Sequence, residues 1–133
     1  MKYLLDTNIC IYIIKKKPAL VFERLREIAI DSIAISSISV AELEYGVRKS
    51  LQPEKNHAAL KDFLAPLTIL DFSYAATVEY GIIRTSLELK GTPIGPMDLL
   101  IAAHAKSLDL TLVTNNESEF NRIDGLRVEN WAK

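Results

Sequence analysis

The stretch Ile33-Ala34-Ile35-Ser36-Ser37-Ile38-Ser39-Val40-Ala41-Glu42-Leu43-Glu44-Tyr45-Gly46-Val47 changes its periodicity part-way along. Its first three residues are apolar and two are β-branched, which suits a short buried strand. Beyond Ser39, residues Val40, Leu43, Val47 and Leu51 recur at helical spacing. A strand running straight into a helix is the unit of parallel sheets, whose right-handed crossovers lay helices on both faces. The alternation continues in both directions. Further strands are expected at Lys2 to Leu5, Leu67 to Leu70, Thr111 to Val113 and, more weakly, Leu126 to Val128. Ala76, Tyr80, Ile83 and Leu87 form a helical face ahead of Gly91, an expected C-terminal cap. Met97, Leu100, Ile101 and Leu108 mark another helix behind Pro93, Gly95 and Pro96. The fold class is therefore α/β, a three-layer α/β/α sandwich around a short, mostly parallel sheet, with residues 1–133 as one domain.

The chain has 133 residues, 49% of them hydrophobic, enough to bury a core without external staples. Its single cysteine, Cys10, has no intramolecular disulfide partner, and no apolar run approaches the ~20 residues of a membrane span. A cytoplasmic, membrane-free protein is expected. Sixteen basic and seventeen acidic side chains give a net charge of −1, so attraction to a polyanion is not a property of the whole molecule. Nucleic-acid binding would have to come from local patches or from metal ions.

Open parallel sheets place ligands in the crevice beyond the carboxyl ends of their strands. Acidic groups collect at those ends: Asp6 after the first strand, Glu42 in the first turn after the second, Asp98 opening the helix before the fourth, and Asn116, Glu117 and Glu119 beyond Thr114. Each also has a purely structural reading. Asp6 suits an N-cap, Ser39 to Glu42 and Asn116 to Glu119 have capping-box spacing, and Asp98 complements a helix dipole behind Pro96. Their convergence is harder to explain structurally, because clustered carboxylates raise one another's pKa values unless a cation neutralises them. Mg²⁺ takes such oxygen ligands and keeps several waters, whereas zinc favours the Cys and His ligands that this cluster lacks. His57 reads as a surface residue and His104 as one position on an apolar helix face.

Four motifs in order then carry a family resemblance: Leu4-Leu5-Asp6-Thr7-Asn8, Ser36 to Gly46, Pro96-Met97-Asp98 to Ala105, and Leu112-Val113-Thr114-Asn115-Asn116. The chain resembles PIN-domain ribonucleases, specifically the VapC toxins of type II VapBC toxin–antitoxin pairs, over nearly its whole length. Gly91 to Asp98 and Arg127 to Trp131 are similar to the enterobacterial type. The resemblance implies a Mg²⁺- or Mn²⁺-dependent endoribonuclease with Asp6, Glu42 and Asp98 at the family's core acidic positions. Asp6 and Asp98 would ligate the metal, and Glu42 would hold its waters. The position where many members carry a fourth acid is Asn116 here, which makes Glu119 the candidate substitute and Glu117 a weaker one. Thr7, Asn8, Thr114 and Asn116 would orient carboxylates or waters.

Lys15-Lys16-Lys17 is the one basic run and the first candidate for RNA contact, with Arg48, Lys49, Arg84 and Lys90 behind it. Similar enterobacterial toxins cleave initiator tRNA in its anticodon loop, and the resemblance further implies a VapB-type antitoxin partner and a homodimer. Apolar side chains on the helices after Pro18 and Pro53 are expected contact surfaces. Two enzyme-class alternatives fare worse. A dinucleotide-binding domain needs a G-x-G-x-x-G turn that follows no strand here, and a phosphotransfer domain using Asp6 lacks a paired acid beside it. A catalytically silent PIN scaffold that binds RNA or a protein remains the non-enzymatic alternative.

Overall fold

A computed structural model describes residues 1–133. Five strands, β1 (Tyr3–Leu5), β2 (Ile33–Ser36), β3 (Thr68–Leu70), β4 (Thr111–Val113) and β5 (Val128–Glu129), form one sheet in the order β3-β2-β1-β4-β5. Every pairing is parallel. The chain steps outward from β1 to β3, then returns to the other side of β1 for β4. The strand order therefore reverses between β1 and β4, the position where doubly wound sheets open a crevice.

Helices α1 (Thr7–Lys15), α2 (Ala19–Arg26), α3 (Ser37–Arg48), α4 (Pro53–Leu64), α5 (Tyr74–Lys90), α6 (Pro96–Ser107) and α7 (Glu117–Phe120) complete the fold. Strand alternation divides the interior in two. Tyr3, Leu5, Ile33, Ile35 and Val113 face a core shared with residues of α1 to α4, while Leu4, Ala34 and Leu112 face a core shared with α5, α6 and α7. This is the expected sandwich, with period-two burial on each side of the sheet.

Several local expectations need correction. Three serines compete to start α3; the cap is Ser36, whose hydroxyl accepts the Ile38 N–H at 3.1 Å. The helix thus begins at Ser37, which moves Glu42 into its second turn. It ends at Arg48, leaving Leu51 fully exposed instead of on the apolar face. Leu108 likewise falls just beyond α6 and is exposed, as is Met97 within it. Gly91 does cap α5 in the left-handed region, at φ 71°. The helix after Pro53 exposes no large apolar side chain, and α2 exposes Leu20. The exposed apolar stripe is instead on α5, where Tyr74, Val78, Ile82 and Leu89 share one face. No helix is long and apolar enough to cross a membrane.

Candidate active site

Because all strands are parallel, their carboxyl ends lie along one edge. A helix that leaves a strand begins at that edge, and one that leads into a strand runs antiparallel to it and also begins there. This is why Asp98, in the first turn of α6 and ahead of β4 in sequence, shares an edge with Asp6 beyond β1 and Glu42 in α3.

Asp6 continues β1 in an extended conformation, and its N–H donates to the Val113 carbonyl at 3.0 Å. Its carboxylate accepts the Ile9 N–H at 2.9 Å, capping α1, and the Thr114 hydroxyl hydrogen-bonds to it. Only 4% of the residue is exposed. Burial pushes its pKa up to about 6 despite both hydrogen bonds, and Glu42 adds to the rise. The cap and the crevice acid are therefore one side chain.

Glu42 does not close a capping box. Ser39 is buried inside α3 with its hydroxyl unpartnered, and the Glu42 carboxylate accepts the Thr7 hydroxyl at 2.6 Å instead. Thr7 opens α1, so this bond ties the helix after β1 to the helix after β2. Asp98 is half-buried, behind Pro96 at the first helical position. Burial raises its pKa to about 7, helped by the charge of Glu119 and a hydrogen bond with it, then by Asp6 and Glu42.

Glu119 is held from two further sides. Its Oε1 accepts the Gly95 N–H at 3.0 Å, and its Oε2 accepts the side-chain amide of Asn116. Asn116 stands at the start of α7 without a side-chain cap bond, so this second capping box does not form either. The Asn116 N–H donates to Thr114 Oγ1 at 3.0 Å, leaving Thr114 between Asn116 and Asp6. Glu117 turns away toward Asn130 and Lys133, at 3.0 and 2.9 Å, and their hydrogen bonds lower its pKa. Asn8 is exposed in the first turn of α1.

The basic run stands apart from Asp6 along α1. Lys15 to Lys17 stand at the far end of α1 from Asp6, about 13 Å away at the rise of an α-helix. Lys16 rests over the Phe22 ring. Lys15 alone reaches toward the acids, lining with Glu42, Ile11, Gly46 and Asn56 a groove of about 320 Å³ between α1, α3 and α4. The sequence reading missed the Gly95 amide. Pro96 at a helix start was the available signal, because the residue before it keeps its N–H outside the helix.

The donors at the crevice are carboxylates, hydroxyls and amide groups. Cys10 is buried in the first core and His104 bonds Ser36, so neither joins them. No three acidic, cysteine or imidazole side chains close around one point tightly enough to form a coordination shell by themselves. This donor set fits a hard ion that binds through one or two carboxylates and keeps its water, and it does not fit zinc.

The family model of the PIN domain matches residues 3–126. The chain belongs to the PIN-domain family. Within that family, this PIN domain is 53% identical to "Ribonuclease VapC2" of Rickettsia felis over the full length of both chains. It is 46% identical to "tRNA(fMet)-specific endonuclease VapC" of Shigella flexneri over 99% of each. The VapBC2 complex of Rickettsia felis bound to a promoter DNA fragment contains a chain that superposes with a TM-score of 0.92 at 52% identity, covering 98% of this PIN domain and 99% of that chain. These likenesses place this PIN domain among the VapC proteins.

Proposed function

We propose that this VapC-family PIN domain is the toxin of a type II toxin–antitoxin pair, a cytoplasmic endoribonuclease that hydrolyses a phosphodiester bond of structured RNA with Mg²⁺ or Mn²⁺. The observation that carries the reading is that Asp6, Glu42, Asp98 and Glu119, from four separated segments, line one sheet edge closely enough for burial and one another's charges to raise the pKa values of Asp6 and Asp98.

Asp6 and Asp98 are the acids that would hold the ion. When bound, such an ion lowers the pKa of a coordinated water and neutralises charge gathering on the phosphate. Glu42, steadied by Thr7, and Glu119, steadied by Gly95 and Asn116, would hold waters and accept the proton from the attacking one. Thr114 keeps the Asp6 carboxylate oriented.

The groove from Glu42 to Lys15 suits an extended antitoxin segment whose basic side chain would neutralise the acids. The α5 stripe supports a homodimer. Initiator tRNA, cut in its anticodon loop, is the substrate this reading favours, since one relative's name specifies tRNA(fMet). The test is incubation of purified protein with total tRNA in Mg²⁺, Mn²⁺ or EDTA, beside Asp6→Asn, with cut ends mapped. Discrete metal-dependent cuts absent from the variant are expected. No cutting under any condition would favour the non-catalytic scaffold.

A further inference from the structure

The second core holds one polar pair that the mechanism above does not use. His104, on α6, is fully buried, with Nδ1 2.8 Å from Ser36 Oγ and its ring edge-on to Phe72 at 5.4 Å between centroids. The other ring nitrogen, Nε2, is buried without a partner. Ser36 also accepts the Ile38 N–H as the cap of α3. One hydroxyl therefore joins the start of α3 to the last turn of α6. Burial lowers the pKa of the ring, against the opposing charge of Asp71 ahead of α5.

Around this pair α6 packs through Leu99 and Ile101 and through a run of small side chains. Ala102, Ala103 and Ala105 of α6 are buried in the same core as Ala34 of β2. Small side chains let a helix approach closely, but they seat few knobs in holes and so resist sliding weakly. A polar bond in an apolar setting forms in one register only, which is the best-attested use of a buried polar group. A leucine would fill the space without stranding a ring nitrogen, so stability alone is a poor reason for an imidazole here.

Each helix that the pair joins carries a crevice acid. Glu42 lies six residues beyond Ser36, and Asp98 lies six residues before His104. A slip of α6 by one residue's rise, about 1.5 Å, would shift Asp98 against Glu42 by a similar distance, beyond the ~0.5 Å within which a metal or catalytic constellation must be held. We propose that His104, acting through Ser36, is the positioning residue that sets the spacing of Asp98 and Glu42 and thereby the crevice's affinity for a divalent ion. The inference rests on the reading that this crevice binds such an ion.

Two substitutions separate positioning from bulk stability. His104→Asn puts an amide where Nδ1 stood, within reach of Ser36; His104→Gln puts the same group one carbon further out, where the unpartnered Nε2 stood. Both remove the ring from Phe72. Mn²⁺ binding followed by EPR titration of the purified protein, beside thermal melting, is the measurement. His104→Gln should need about 10- to 100-fold more Mn²⁺, and His104→Asn should bind within about threefold of wild type, as a bond-preserving change predicts. Ser36→Ala, which leaves α6 unaltered, should weaken Mn²⁺ binding as the Gln variant does, and it serves if a His104 variant fails to fold. Equal affinity in wild type, His104→Gln and Ser36→Ala, or affinities that merely follow melting temperature, would overturn the proposal. A wild-type protein that binds no Mn²⁺ would overturn the reading of the crevice itself, and this inference with it.

Discussion

Asp6→Asn should stabilise the metal-free protein at neutral pH while ending cleavage. The carboxyl is almost entirely buried, and its pKa stands at about 6 against an ordinary 3.8. A gap of about two units corresponds to ~3 kcal/mol at ~1.4 kcal/mol per unit. The native state holds this proton more tightly than the unfolded chain does. Its stabilising contribution is therefore fully present below pH 3.8 and is lost as pH rises through about 6. Asparagine never ionises and still caps α1 by accepting the Ile9 N–H. It forfeits one of the two bonds that the carboxylate accepts, a loss of ~1 kcal/mol. The net gain above pH 6 is ~2 kcal/mol, or about 6 °C in melting temperature for a chain of this size. Thermal melting in EDTA between pH 4 and pH 8 measures it. Wild type should equal or slightly exceed the variant near pH 4, and the variant should lead above pH 6. Saturating Mg²⁺ should raise wild type alone, by mass action. A variant that melts no higher than wild type at pH 8 in EDTA would refute the argument that buried charge at Asp6 strains the fold.

Divalent-ion affinity should rise with pH between about 6 and 7, because Asp6 and Asp98 must lose protons to become ligands; calorimetry in buffers of different ionisation heat would show the released protons, and a flat profile would count against these two ligands. Thr7→Val frees the Glu42 carboxylate from its 2.6 Å bond and should slow cleavage about 10- to 100-fold with melting temperature nearly unchanged. Glu119→Gln should slow cleavage strongly, whereas Glu117→Gln, whose carboxylate faces Asn130 and Lys133, should cleave at the wild-type rate; equal losses in both would remove Glu119 from the site.

Much of the fold is legible because periodicity is local. The strand at Ile33 and the helical spacing beyond Ser39 each declare themselves within a dozen residues, and four such alternations leave few topologies to consider. Legibility fails at boundaries. Leu51 and Leu108 continue an apolar spacing past the last hydrogen-bonded turn, since a side chain's period does not record where the backbone ladder stops. Ser36, Ser37 and Ser39 can all cap a helix, and only the length over which β2 pairs with its neighbours selects the first. The wrong choice had a cost beyond the helix end, because it made Glu42 a capping residue on paper.

The amino-acid sequence by itself determined the α/β alternation, the oxygen-rich chemistry at the strand ends and the four motifs that mark the PIN family, all of which are carried by residue type and near-neighbour spacing. Tertiary structure decided the rest, because the deciding contacts join residues far apart in the chain. Thr7 meets Glu42 across 35 positions, Gly95 meets Glu119 across 24 and Ser36 meets His104 across 68. Two residues apart on a helix differ by about 200° in direction, so the docking of α7, and not its composition, turned Glu119 toward the acids and Glu117 away. In the same way, the length of α1 set Lys15 to Lys17 at the opposite end from Asp6, a separation that no count of charges along the sequence reveals.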